Sequence, residues 1–268
     1  MIATAHFLAI GLYLAAAALA ATAFARPMNG LKRRVLALLA AGVIVHLAVL
    51  ITLAVQAGHV YVAGLGPSLS LAGLVLAATL LVVEVLAHDV SLTLVAAPMA
   101  AVPTVIAIII GFHHAKEPTG VQGAWLVSHI ALSFIGIAAF GTAAVAGVMY
   151  LIERRELKSG RFDAMFRMFP PLATLDRVNH LAALAGWLGL TVGVVLAVAY
   201  SLEYGGMRPE QLAWGIAAWL GVSAVALGRA VRGWQAHRAA LWSSVSFTIV
   251  VLLYVALRVA GPVAGKFH

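Results

Sequence analysis

Apolar positions run through this chain in stretches of about twenty, broken by short polar or charged segments. A run of that length is what one helix needs to cross the hydrocarbon of a bilayer. Eight such stretches are predicted, at about residues 4–25, 35–57, 67–87, 91–112, 125–151, 179–201, 211–229 and 240–261. In hydrocarbon the backbone must satisfy its own hydrogen bonds, so each should be a helix. The expected fold class is all-α, a polytopic membrane protein built as a bundle of about eight transmembrane helices. The stretches leave no room for a soluble domain, so residues 1–268 are read as a single integral membrane domain.

The polar segments fix an orientation. Loops 26–34, 88–90, 152–178 and 230–239, with their edges, carry thirteen Lys/Arg, and the loops on the other side carry four. The positive-inside rule puts the first set in the cytoplasm and both termini outside. The turn at His88-Asp89 adds no Lys or Arg, so residues 67–112 could also form one re-entrant unit. The N-terminal stretch resembles a signal peptide, but its charges follow the apolar core, and it is read as a retained first span. Loop 152–178 holds Phe162, Met165, Phe166 and Phe169 among charges, a pattern that fits an interfacial helix or a solvated connector.

Composition narrows the function. The chain is 63% hydrophobic and 10% charged, with a net charge of +8. That positive charge lies at span edges, where topology accounts for it, so the bilayer is the expected partner and nucleic acid is not. There is no Cys, which excludes disulfides, thiolate metal sites and thiol relays. No nucleotide-binding Gly loop, nucleophile elbow or pair of carboxylates within one span is present. A non-enzymatic role follows.

Ionisable groups inside spans are costly and are the first functional candidates. They are His46 in the middle of span two, His129 near the outer end of span five, His180 at the start of span six and Glu84 near the inner end of span three. Imidazole ligates b-type haem iron and carries protons near neutral pH. At a rise of ~1.5 Å per residue, His46 and His129 differ in depth by about 8 Å. For Glu84 a pairing or snorkelling role is expected. His113-His114 could form a weak surface metal site. His6, His59, His88, His237 and His268 are placed at ends or in loops, where solvation explains them. Gly136, Ala143 and Gly147 in span five, and Gly186, Gly189 and Gly193 in span six, mark both as interior helices.

Three segments carry a resemblance. They are His129-Ile-Ala-Leu-Ser through Phe140 and Gly147 to Lys158, Pro171 through Asp176-Arg177-Val-Asn-His180 to Gly193, and Arg229 through Trp234 to Arg238. Together they resemble the core of the cytochrome c assembly (CcsA/ResC) family, in its short branch with the HemX and YpjD proteins. The match is stronger over 125–260 and weaker over 1–124, where it rests on His46. The resemblance implies a haem-handling protein of the bacterial inner (plasma) membrane associated with c-type cytochrome biogenesis. The expected cofactor is non-covalent b-type haem, contacted by His129, His46 and His180, with His129 and His46 as iron ligands. Other membrane proteins of cytochrome maturation or haem biosynthesis are the implied partners. Alternative readings are a regulator of tetrapyrrole synthesis or a scaffold without haem, and a small proton-coupled transporter. The family's Trp-rich external loop is reduced here to Pro209-Glu210, Trp214 and Trp219. Its later intramembrane His, expected near Leu227, is missing, and its second external His falls near Gly265, three residues from His268. The resemblance therefore does not imply that the chain alone attaches haem to cytochromes.

Overall fold

A computed structural model describes residues 2–22, 30–58, 60, 64–87, 92–112, 120–160, 170–205 and 209–260. Eight helices follow one another: α1 (Ile2–Thr22), α2 (Leu31–Ala57), α3 (Leu65–Ala87), α4 (Thr93–Ile110), α5 (Gly120–Ser159), α6 (Leu172–Tyr204), α7 (Pro209–Arg232) and α8 (Ala236–Ala260). All eight are long and apolar enough to cross a membrane. The all-α, eight-span architecture read from the sequence is the one observed, in a multi-pass membrane protein. Within 67–112 the described residues form two helices, α3 and α4.

The helices pack as two rings of four. In the first, α1 packs on α2 and α4, and α3 packs on α2 and α4. In the second, α5 packs on α6 and α8, and α7 packs on α6 and α8. The main contact between the rings is α3 on α5. Two cores result. One gathers around Tyr13, Leu39, Leu80 and Ala97 and extends into the second ring through Ala146, Met149, Leu175 and Val178, and the other lies within the second ring around Phe140, Ala183, Val222 and Val225.

The most extensive packing is between α5 and α6. A Cβ added to Gly189 would lie 2.9 Å from the Gly136 Cα, and one added to Gly136 would lie 2.6 Å from the Leu190 backbone N. In lipid there is no hydrophobic drive between helices, so close backbone approach through small residues is what holds them. Gly147 serves a different neighbour, since its Cβ would meet the Ala240 carbonyl of α8 at 2.7 Å.

Two boundaries differ from the sequence reading. Helix α5 has 40 residues and runs through the charged stretch 153–158, and α6 starts at Leu172 rather than 179. At ~1.5 Å per residue α5 is about 60 Å long, twice a ~30 Å hydrocarbon core, so it continues into the aqueous layer. The charges at 153–158 end the apolar run without ending the helix. Glu153 is buried there. Phe162, Met165, Phe166 and Phe169 lie outside the described residues, as do His59, His88, His113, His114 and His268.

Candidate functional site

The described histidines occupy different settings. His46 on α2 is fully buried, and both ring nitrogens are engaged. Its Nδ1 lies 3.1 Å from the Tyr13 hydroxyl of α1, and its Nε2 lies 2.9 Å from Ser70 Oγ of α3.

His6 corrects the sequence reading, which left it to solvent at the chain end. It sits inside α1, fully buried, with its Nε2 2.9 Å from the same Ser70 Oγ. The His6 and His46 rings meet edge to face at 5.3 Å, and Phe112 stacks on His6 at 4.9 Å. A helix places residues three to four apart on one face. His6, Ala9, Tyr13, Ala16 and Ala20 form one buried stripe at that spacing, so the signal was in the sequence.

His129 lies in the second ring, half-buried in the N-terminal part of α5. Its Nδ1 is 2.8 Å from the Gly193 carbonyl oxygen of α6. A carbonyl only accepts, so this bond places the ring proton on Nδ1 and leaves Nε2 with its lone pair. The Ser133 hydroxyl lies near the same Nδ1, at 3.4 Å. The contact depends on Gly193, because a Cβ there would lie 2.5 Å from Ser133 Oγ. One turn before His129 on α5, the Trp125 indole N–H donates to the Leu196 carbonyl at 3.2 Å. The Trp125 ring meets Tyr200 and Tyr204 edge to face at 6.4 and 6.0 Å. This three-ring group was not seen in the sequence, where Trp125 and Tyr200 read as separate span edges.

His180 is half-buried on α6, two turns inside the helix, and its buried Nδ1 has no hydrogen-bond partner. Beside it is a polar network. Arg229 of α7 pairs with Asp176 and donates to Asn179 Oδ1 at 3.0 Å. The Asn179 amide donates to the Ala143 carbonyl and to Ser243, both at 2.7 Å. His180 precedes Gly193, the partner of His129, by thirteen residues. That is about 20 Å along α6, so His129 and His180 do not share one site.

Glu84 is fully buried, and its carboxylate accepts both the backbone N–H and the hydroxyl of Thr93. Thr93 opens α4, whose unpaired N–H groups carry partial positive charge. Glu84 therefore caps α4 across the α3–α4 turn, the pairing role expected of it.

Within this eight-helix membrane fold, the structure brings His46 together with His6, Tyr13 and Ser70, and brings His129 to α6. The sequence model of the family described as "Cytochrome C assembly protein" matches residues 3–263, and the chain belongs to that family. Cytochrome c biogenesis protein CcsA of Prochlorococcus marinus (strain MIT 9515) is 25% identical over 163 residues, 52% of each chain. CcsA of Synechococcus sp. (strain CC9605) is 25% identical over 165 residues, 52% of this chain and 54% of the relative. An uncharacterized 28.8 kDa protein of Azospirillum brasilense is 27% identical over 142 residues, 52% of each chain. The chain spans about half the length of the curated relatives it matches.

Proposed function

We propose that this chain is a haem-handling protein of c-type cytochrome biogenesis, with His129 as its haem contact. Membership of the cytochrome c assembly family and the CcsA relatives support the process. The state of His129 supports the residue. An imidazole that ligates a metal ordinarily gives its second N–H to a carbonyl or carboxylate, which fixes the tautomer and the ring orientation. His129 has that arrangement, half-buried with Nδ1 on the Gly193 carbonyl and Nε2 left with its lone pair. Bound there, haem would supply a porphyrin iron able to accept one axial nitrogen. Trp125, Tyr200 and Tyr204 flank the site with aromatic surface, and Gly193 keeps the α5–α6 register that aims the ring.

In this reading the protein holds haem rather than catalysing a reaction, and it works beside other membrane proteins of cytochrome maturation or haem synthesis. His46 would serve as an iron ligand only after releasing Ser70 or Tyr13. The membrane is the bacterial inner membrane, with the basic segments 26–34, 152–178 and 230–239 on the cytoplasmic side. Cysteines introduced at Ser159 and Gln235 should then resist an impermeant thiol reagent in intact cells, and one at Thr119 should react. Labelling at Ser159 without lysis would reverse the orientation.

The test of haem binding is the absorbance of the protein purified after expression with haem supply. A Soret band near stoichiometric with the chain is expected. A colourless protein that also fails to take up added haem would end this reading.

A further inference from the structure

The buried polar cluster of the first ring is left unused by the haem reading. His6, Tyr13, His46 and Ser70 are all fully buried, on three different helices. Two imidazole Nε2 atoms converge on one point, Ser70 Oγ, at 2.9 Å each. A hydroxyl has one proton to donate. Ser70 can therefore donate to at most one ring, and any other ring it meets must donate its own Nε2–H, so at most one of the two Nε2 lone pairs faces the hydroxyl. A cation at the same point could be met by both.

The site requires the Nδ1-protonated tautomer of each ring. With each ring protonated on Nδ1, both Nε2 lone pairs turn to the shared point, and neither ring gains or loses a proton overall. For His46 that tautomer is supported, because the Tyr13 hydroxyl at 3.1 Å can accept from Nδ1. Such a second partner is what orients a metal-bound imidazole. Ser70 vacates the point by turning about one side-chain bond.

We propose that His6 and His46 form a two-imidazole site for Cu(I), which takes the place now held by the Ser70 hydroxyl. Two features select the ion. No group of three or more His, Cys, Asp or Glu suited to a metal exists among the described residues, whereas structural zinc takes four ligands. Cu(I) is satisfied by two nitrogen donors, and imidazole suits copper. The donors are also neutral. The cost of burying an ion rises with the square of its charge, so a site without a carboxylate favours a monovalent cation over a divalent one.

The site is independent of His129, and the test keeps the two apart. Haem-free protein in detergent is titrated anaerobically with Cu(I) against bicinchoninate, a coloured Cu(I) chelator. One Cu(I) per chain is expected. His6→Ala and His46→Ala should each weaken capture by about a hundredfold or more, which is at least two tenfold steps in affinity. Ser70→Ala should keep or tighten it, because it removes the competing hydroxyl. His129→Ala should bind copper as the parent does. X-ray absorption of the copper-loaded parent should show two nitrogen neighbours, and this reading stands even if a His variant fails to fold. Any of four results would overturn the proposal: no copper on the parent, copper retained in both His variants, Ser70→Ala as damaging as His6→Ala, or Zn(II) captured equally at the same residues.

Discussion

The two four-helix rings hold their central histidines in opposite ways. In α1–α4, His46 is sealed from solvent and bonded at both nitrogens, to Tyr13 and Ser70. In α5–α8, His129 is half-buried and bonded through Nδ1 to a backbone carbonyl, which leaves Nε2 with its lone pair. The residue type is the same, so the difference comes from the neighbours. Hydroxyl side chains engage both nitrogens of one imidazole, whereas a glycine carbonyl engages a single nitrogen of the other. An intramembrane histidine becomes a ligand candidate through what holds its other nitrogen.

The largest effect should come from the helix contact beneath His129. Gly189→Leu places a branched side chain where a single Cβ already meets the Gly136 Cα at 2.9 Å. Overpacking of this kind costs about 1–3 kcal/mol or more. Thermal unfolding in detergent should show an early transition, and haem uptake should fall with it because the His129–Gly193 register is lost. Gly11 on α1 has nothing within 4 Å of an added Cβ. Gly11→Ala should therefore stay within about 0.5 kcal/mol of the parent. Equal effects of the two substitutions would contradict the packing account.

A smaller effect separates the two histidines. His46→Ala leaves the buried Ser70 and Tyr13 hydroxyls without that partner, at a cost of about 1–3 kcal/mol. His129→Ala removes one interhelical bond to the Gly193 carbonyl of α6 and should cost about 0.6 kcal/mol, near the average for an interhelical hydrogen bond in a membrane. Unfolding midpoints measured side by side should rank His46→Ala as the less stable protein. The reverse order would mean that His129, not His46, is the structural residue.

Much of the fold could be read from the chain because hydrophobic length alone specifies a membrane helix. The small-residue faces of α5 and α6 were legible for the same reason, since Gly136, Gly186, Gly189 and Gly193 recur at helical spacing. Helix ends were less legible. Glu153 and the charges after it mark the bilayer edge, yet the helix crosses that edge to Ser159. His6 lies near the chain end, where solvation accounts for a histidine, and only its spacing from Ala9 and Tyr13 marks it as part of the buried stripe of α1. The Arg229–Asp176 pair joins positions 53 apart, and the His46–Ser70 contact joins positions 24 apart. Contacts at such separations come from helix packing, which one sequence does not display. The His129–Gly193 bond, 64 positions apart, is of this kind. The sequence singled out both residues, but for different reasons.

The central claim is that haem is held in the second ring, through Nε2 of His129. Haem titration of His129→Ala and His46→Ala, followed by the Soret band and compared with the parent, tests it most directly. The account predicts that His129→Ala inserts normally and loses haem, by about tenfold or more in affinity. It predicts that His46→Ala, though less stable, keeps haem while it remains folded. Haem retained by His129→Ala and lost from folded His46→Ala would place the contact in the first ring and contradict the account.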